Sequence, residues 1–525
     1  MKLLAAIFPA FLALLVAAQN FNDVTLEIIN TDLAPDGFTR STVSANGTFP
    51  GPIIRATKGD TLRVTVNNQL TDPTMRRSTT LDFDGIFFDS SNVYNEGTPF
   101  VTTCPFGPNA SYTYVLPLGN QTGSYWYHSQ LSLQYADGLR GALIIYDPDD
   151  PQADLYDVDD DSTIWFLGDW WHNASIAMLE SYQATQIIPV ADSGLFNGAG
   201  RFNTGPLTEY AVSTVTSGTR YRMRIINASA RSDFTVSVDN HTMTVIGADG
   251  VATEPHTVTE MLIHAGQRYD IVLTADQPVG NYWINTILSG GNAAHNLNLN
   301  ATLGRGILRY EGAPNAEPTT PMTLGPADPI ILNEWELTPL DPVPVPPFDV
   351  ELSFVTSMTA NASSPSGFNS QWNINNVSYV SPVVPTLLKV LGGATSADDF
   401  NVTENTFVIP ANKVVQINFV PDPNNELHPF HLHGGNFWVI KSNGSDIVNE
   451  VNPIRRDVAA AASGGTILRF TTDHAGPWFF HCHIFFHMNA GLASVIAQGL
   501  NETRTDVHPT EAWDNLCDAY YALPC

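Results

Sequence analysis

Short runs in which apolar and polar residues alternate recur along the chain, at residues 23–29, 61–67, 221–226 and 267–275. In an extended backbone, side chains two apart share a face, so each run predicts a strand with one face buried and one wet. Gly, Pro, Asn and Asp cluster between the runs, and long stretches of helical periodicity are scarce. The pattern predicts an all-β chain of sandwiches or barrels joined by turns. A repeat sets the number of units. An apolar strand leads into a turn, then a glycine, then aromatics, three times: Gly123-Ser-Tyr-Trp-Tyr-His128, Gly280-Asn-Tyr-Trp-Ile-Asn285 and Gly476-Pro-Trp-Phe-Phe-His481. Three units follow. The last position reads His, Asn, His, which predicts a metal site where the first and third units touch. The acidic stretch 147–161 and the Pro-rich stretch 314–347 read as linkers. The division expected is 1–18, 19–147, 148–312 and 313–525, the last with a tail from Trp513 to Cys525.

Composition places this fold in a compartment. Lys2, the apolar run 3–16 and the small pair Ala17-Ala18 read as a cleaved export signal rather than an anchor. No second hydrophobic stretch of about 20 residues follows. The mature protein is expected to be secreted, extracellular and monomeric. Twelve Asn-x-Ser/Thr sequons, from Asn46 to Asn501, suit glycan-bearing loops in such a protein. A net charge of −29 argues against nucleic acid and anionic membranes as partners and allows neutral or cationic small molecules. The four cysteines are Cys104, Cys482, Cys517 and Cys525. Cys482 stands between two histidines and reads as a metal thiolate, so at least one of the other three lacks an intramolecular partner.

Two stretches carry the chemistry: His428-Pro-Phe-His431-Leu-His433 and His481-Cys482-His483-Ile-Phe-Phe-His487. They hold six of the 14 histidines. On a strand, His481 and His483 point one way and Cys482 the other, so one strand feeds two sites on opposite faces. His428, Cys482 and His487 supply two imidazoles and a thiolate, the blue-copper ligand set. Leu492 falls where a weak axial ligand would sit. It cannot coordinate, which should leave the copper three-coordinate and raise its potential. Zinc could use the same three ligands, but the second histidine face has no simple structural-zinc explanation.

The chain resembles the fungal-type laccases, three-domain multicopper oxidases. The resemblance spans the mature chain and rests on Gly51-Pro-Ile-Ile, Tyr125-Trp-Tyr-His-Ser, Gln134-Tyr-Ala-Asp-Gly-Leu-Arg-Gly, Tyr146-Asp-Pro, His428-Pro-Phe-His-Leu-His-Gly and His481-Cys-His. It implies three consecutive cupredoxin-like Greek-key domains. It also implies phenol oxidation at the blue copper, with electrons passing through Cys482 to a three-copper cluster that reduces oxygen to water. The same resemblance pairs Cys104 with Cys517 and leaves Cys525 unpaired. It makes Asp192 the substrate-pocket carboxylate, and Glu96 an acid on a proton path.

The departures from the family bear on function. Its first His-x-His pair reads Asp82-Phe83-Asp84 here, and its His-Ser-His reads His128-Ser129-Gln130. The type 2 copper keeps only His431. One type 3 copper keeps His128 and His483 with Asp84, and the other keeps His433 and His481 with Gln130. Oxygen ligands are harder than imidazole, and amides are weak, so copper affinity and potential should fall. Phe485 replaces the acid that usually follows His-Cys-His-Ile. A second family disulfide is lost at both ends, at Ala136 and near Ala191. Three functions fit: a laccase-type oxidase whose oxygen reduction is weak or lost, an electron-transfer or copper-binding protein carrying the blue copper alone, and a chain whose altered cavity holds another metal. Phenolic or aromatic reductants are the expected partners, with oxygen as a further one.

Overall fold

The computed structural model describes residues 21–360, 370–421, 426–461 and 463–523. The expected export signal, the Asn361 sequon and Cys525 lie outside them. Two four-stranded sheets open the chain. One orders Arg40–Ala45, Phe21–Leu33, Thr61–Asn68 and Ser111–Pro117; the other orders Ile54–Thr57, Arg140–Tyr146, Gly123–His128 and Asp82–Asp84. A seven-stranded and a five-stranded sheet follow between Ile164 and Tyr310. Two five-stranded sheets and a small hairpin occupy the chain from Val350 to Gln498. Apolar faces of each sheet pair pack inward, with Leu26, Val64, Ile225, Ile271, Val415 and Ile496 fully buried. This is the layered arrangement that alternating strands require, since each can bury only one face.

The alternating runs become the strands Phe21–Leu33, Thr61–Asn68, Arg220–Asn227 and Arg268–Thr274. The three repeats become Gly123–His128, Asn281–Ser289 and Gly476–Cys482. The acidic stretch 147–161 is tied down by arginines: Asp150 and Asp159 each lie 2.6 Å from a guanidinium, of Arg222 and Arg224 respectively. Cys104 and Cys517 form a disulfide that joins the C-terminal helix Leu516–Tyr521 to the first unit across 413 residues. Trp513 docks beside it, its indole N–H donating to the carbonyl of Thr102 at 3.1 Å. Ala136 and Ala191 are both buried in the core. Most sequons are on exposed or half-buried turns, but Asn227 is fully buried and its amide donates to the carbonyls of Ser232 and Ile263. No helix among the described residues is long and apolar enough to cross a membrane.

Candidate metal centre

Two strands and one short helix build the first pocket. His428 opens the strand His428–Leu432, which pairs antiparallel with Gly476–Cys482, and His487 lies in the helix Phe485–Asn489. Both imidazoles turn Nδ1 to the same sulfur. Sγ of Cys482 lies 3.5 Å from His428 and 3.8 Å from His487, and the two nitrogens are 3.1 Å apart. Bonds of about 2.0–2.3 Å to one three-coordinate ion give ligand separations of roughly 3.5–3.7 Å, which the two sulfur–nitrogen edges match, while the nitrogen–nitrogen edge is shorter. Burial pushes the Cys482 thiol well above its ordinary range and His428 well below its own. The thiolate therefore needs a cation at this spot, and binding one expels a proton. Leu492 is fully buried. Its carbonyl accepts from the amide of Cys482 at 3.1 Å, and its own amide donates to the carbonyl of His487 at 2.9 Å. The Leu492 backbone is thus tied to two of the three ligand residues. Trp372 closes the pocket with its ring 4.7 Å from His428 and 4.6 Å from His487.

Glu426, which the motifs did not single out, lies at the rim. Its Oε1 is 2.8 Å from Nε2 of His487, and its side chain is about half exposed. Burial opposes its charge, but His487 holds the carboxyl down to about 2. Its position two residues ahead of His428 was the available signal. Asp192 is differently placed. It is buried, and both oxygens are engaged: the amide of His172 donates to one at 2.7 Å, and the side chains of Asn296 and Asn298 donate to the other at 2.9 and 2.8 Å.

The opposite face of the Cys482 strand opens on a second pocket. Asp82–Asp84 pairs antiparallel with Gly123–His128, setting Asp82 opposite His128. Oδ2 of Asp84 lies 3.4 Å from Nε2 of His128 and 3.0 Å from Nε2 of His483, while Oδ1 lies 3.3 Å from Nε2 of His431. Nε2 of His433 and Nε2 of His481 are 2.9 Å apart, and the Gln130 amide nitrogen is 3.3 Å from the latter. Glu96 takes the remaining nitrogen of His433 and accepts from Thr98 and Thr102. Asp82 lies 3.7 Å from both His433 and His128. All of these groups are buried, and Asp82 Oδ2 and Gln130 Oε1 have no hydrogen-bond partner. Buried polar atoms left so are costly, which marks the pocket as built for an ion.

Charge inside this pocket is unevenly shared. Burial and the neighbouring Glu96 and Asp84 push Asp82 well above the usual carboxylate range. Asp84, although buried, is held well below it by His128, His431 and His483. Burial works against the charge of His431, but Asp84 and Asp457 raise it well above ordinary. Asp457 is a second group the motifs did not reveal. It lies 3.3 Å from Nδ1 of His431 and receives both Nη groups of Arg268, at 2.7 and 2.6 Å. Gly85 makes this contact possible. With φ +86°, a Cβ there would meet the Arg268 guanidinium at 2.2 Å and Asp457 at 2.8 Å. Phe485 packs edge-on against His128, His481 and Tyr135, so an apolar ring lines the wall where an acid was absent from the sequence.

Family profiles described as multicopper oxidase match residues 27–150, 161–313 and 379–501. The chain belongs to the multicopper oxidase family. It is 42% identical over 520 residues to Laccase-2 of Agaricus bisporus, covering 97% of this chain and 96% of that one. It is 45% identical over 494 residues to Laccase-4 of Thanatephorus cucumeris, covering 92% and 90%. The crystal structure of the laccase from Botrytis aclada superposes with a TM-score of 0.83 at 31% identity, covering 96% of this chain and 92% of that chain. The chain is thus a laccase-type multicopper oxidase, with copper as its cofactor class.

Proposed function

We propose that this protein is a secreted laccase-like oxidoreductase that takes single electrons from phenolic or aromatic reductants at one type 1 copper and reduces oxygen weakly or not at all. The observation that carries the reading is a contrast across a single strand. On one face His428, Cys482 and His487 converge on one point. On the other, Asp82, Asp84 and Gln130 occupy ligand positions that the resemblance assigns to histidine. Copper at the triad supplies a one-electron couple. Cys482 fixes the pocket's anionic ligand, and Leu492 keeps the fourth side apolar. Glu426 and the edge of His487 meet the reductant, where a half-exposed carboxylate receives the phenol proton. Cys482 is bonded along the chain to His481 and His483, so one strand links the two pockets. Gln130 offers a weak ligand, and Phe485 offers no proton.

The chain's relatives are named laccases, and a phenolic donor with oxygen as acceptor is the reading they support. The oxygen-binding half is where this chain departs. An electron-transfer role with an outside acceptor is the second reading, favoured by the apolar wall at Phe485. Copper loading followed by metal analysis, visible absorption and spin resonance tests the proposal, with oxygen uptake on a phenol. A blue chromophore lost in Cys482→Ser, copper below the family's full complement and slow oxygen uptake are expected. A colourless copper-loaded protein, or full copper content with fast turnover, overturns it.

A further inference from the structure

We infer that Asp84, His128 and His483 form a mononuclear site for a hard divalent cation of the ferrous or manganous kind. The inference rests on the reading above that this cavity no longer suits a three-copper cluster. Two imidazoles and one carboxylate are the donor set of non-haem iron sites. The three ligand atoms lie within 4.8 Å of one another, all buried. The Asp84–His483 separation of 3.0 Å and the Asp84–His128 separation of 3.4 Å are edges expected around one ion with bonds of about 2.1 Å. The other carboxylate oxygen faces Nε2 of His431 at 3.3 Å, which holds the carboxylate in its orientation.

Replacing a histidine by Asp84 puts a fixed negative charge against the ion. That favours an ion that stays divalent and disfavours cuprous copper, which prefers soft or neutral donors. Asp82 and Glu96 add acidic groups one layer behind, at His433. An acidic cleft lies beside the pocket at His433, although Asp84, His128 and His483 do not line it. A cleft of about 960 Å³ reaches His433 and Gly434, and its lining carries nine aspartates against four Lys and Arg side chains, with Asp89, Asp249 and Asp473 among the acids. Such a lining raises the local concentration of cations.

The test uses the full-length protein, stripped of metal, given one equivalent of copper and then titrated with Mn²⁺ alone. Spin resonance and metal analysis are expected to find one Mn²⁺ per chain. Asp84→Asn should weaken it by at least about 100-fold, since removing a ligand costs more than removing an outer partner, while the blue absorption shows that the variant is folded. Asp84→His, as a second variant, should lose Mn²⁺ and gain copper. Stoichiometric Mn²⁺ binding that survives Asp84→Asn, or no Mn²⁺ binding by the parent chain, overturns the inference. The same titration on Cys482→Ser separates the two ideas. Mn²⁺ retained by that variant upholds this site even if the parent never turns blue, and a blue parent that takes up no Mn²⁺ overturns this site and leaves the oxidoreductase reading standing.

Discussion

Nε2 of His487 lies 2.8 Å from the carboxylate of Glu426, whose side chain is half exposed beside the His428–Cys482–His487 triad. Asp192 has its oxygens filled by three donors. Under the proposed function, Glu426 is the half-exposed carboxylate placed to meet a phenol beside the triad. Glu426→Gln should leave the blue absorption in place and lower kcat/KM for phenols by about 10²-fold, the low end for a positioned base. Asp192→Asn should do less to kcat/KM and more to thermal stability. Steady-state kinetics beside melting curves separate the two, and equal catalytic losses would refute the assignment.

Asp82, Asp84 and Gln130 surround the surviving histidines of the second pocket. Changing all three to histidine restores the donor set that the family resemblance implies. Copper per chain should rise above that of the parent, and oxygen uptake on a phenol should increase by roughly tenfold or more, a barrier change of at least about 1.4 kcal/mol. An oxygen electrode and metal analysis decide it. Unchanged uptake at raised copper would place the block at Phe485 instead.

Asp270 joins the first and second units: it lies 2.5 Å from Arg222 and 3.2 Å from Arg224, and it accepts from Ser124 at 2.6 Å. Burial raises its carboxyl, but the two arginines outweigh that and hold it below the usual range. A depressed folded value means stability that is full above the unfolded value of about 4 and is lost as pH falls toward the folded one. Asp270→Asn should cost about 3–5 kcal/mol near neutrality, because it leaves buried arginines short of a partner. Its melting temperature should then fall less than the parent's between about pH 5 and pH 3. Parallel acid slopes would count against this account.

The Cys104–Cys517 bridge closes a very long loop and holds the C-terminal helix to the first unit. Cys104→Ser with Cys517→Ser should cost about 2–4 kcal/mol and expose the tail to proteolysis, with the blue absorption kept. Denaturant unfolding and limited digestion measure both.

Much of the fold was legible because its signals are local. Alternation of period two marked residues 61–67 and 221–226 as strands, and the structure has Thr61–Asn68 and Arg220–Asn227 there. The Gly-aromatic repeat showed three units because each closing strand needs the same glycine turn and aromatic packing. His428, Cys482 and His487 could be grouped from spacing, since two fall within six residues of one strand end and the third opens the neighbouring strand.

What only the tertiary structure decided concerns groups brought together from distant parts of the chain. The resemblance already grouped Asp84 with His483, but no spacing rule links Asp84 to His431, Arg268 to Asp457, or Glu96 to His433. Each contact exists because sheets of separate units pack face to face, and packing has no periodicity to read. Composition likewise suggested glycan sites but could not tell that Asn227 is buried with its amide already bonded. The sequence determines which donors are present and which strand face each takes. Which donors share one ion is set by the distance between surfaces, a quantity that exists only once the units have docked.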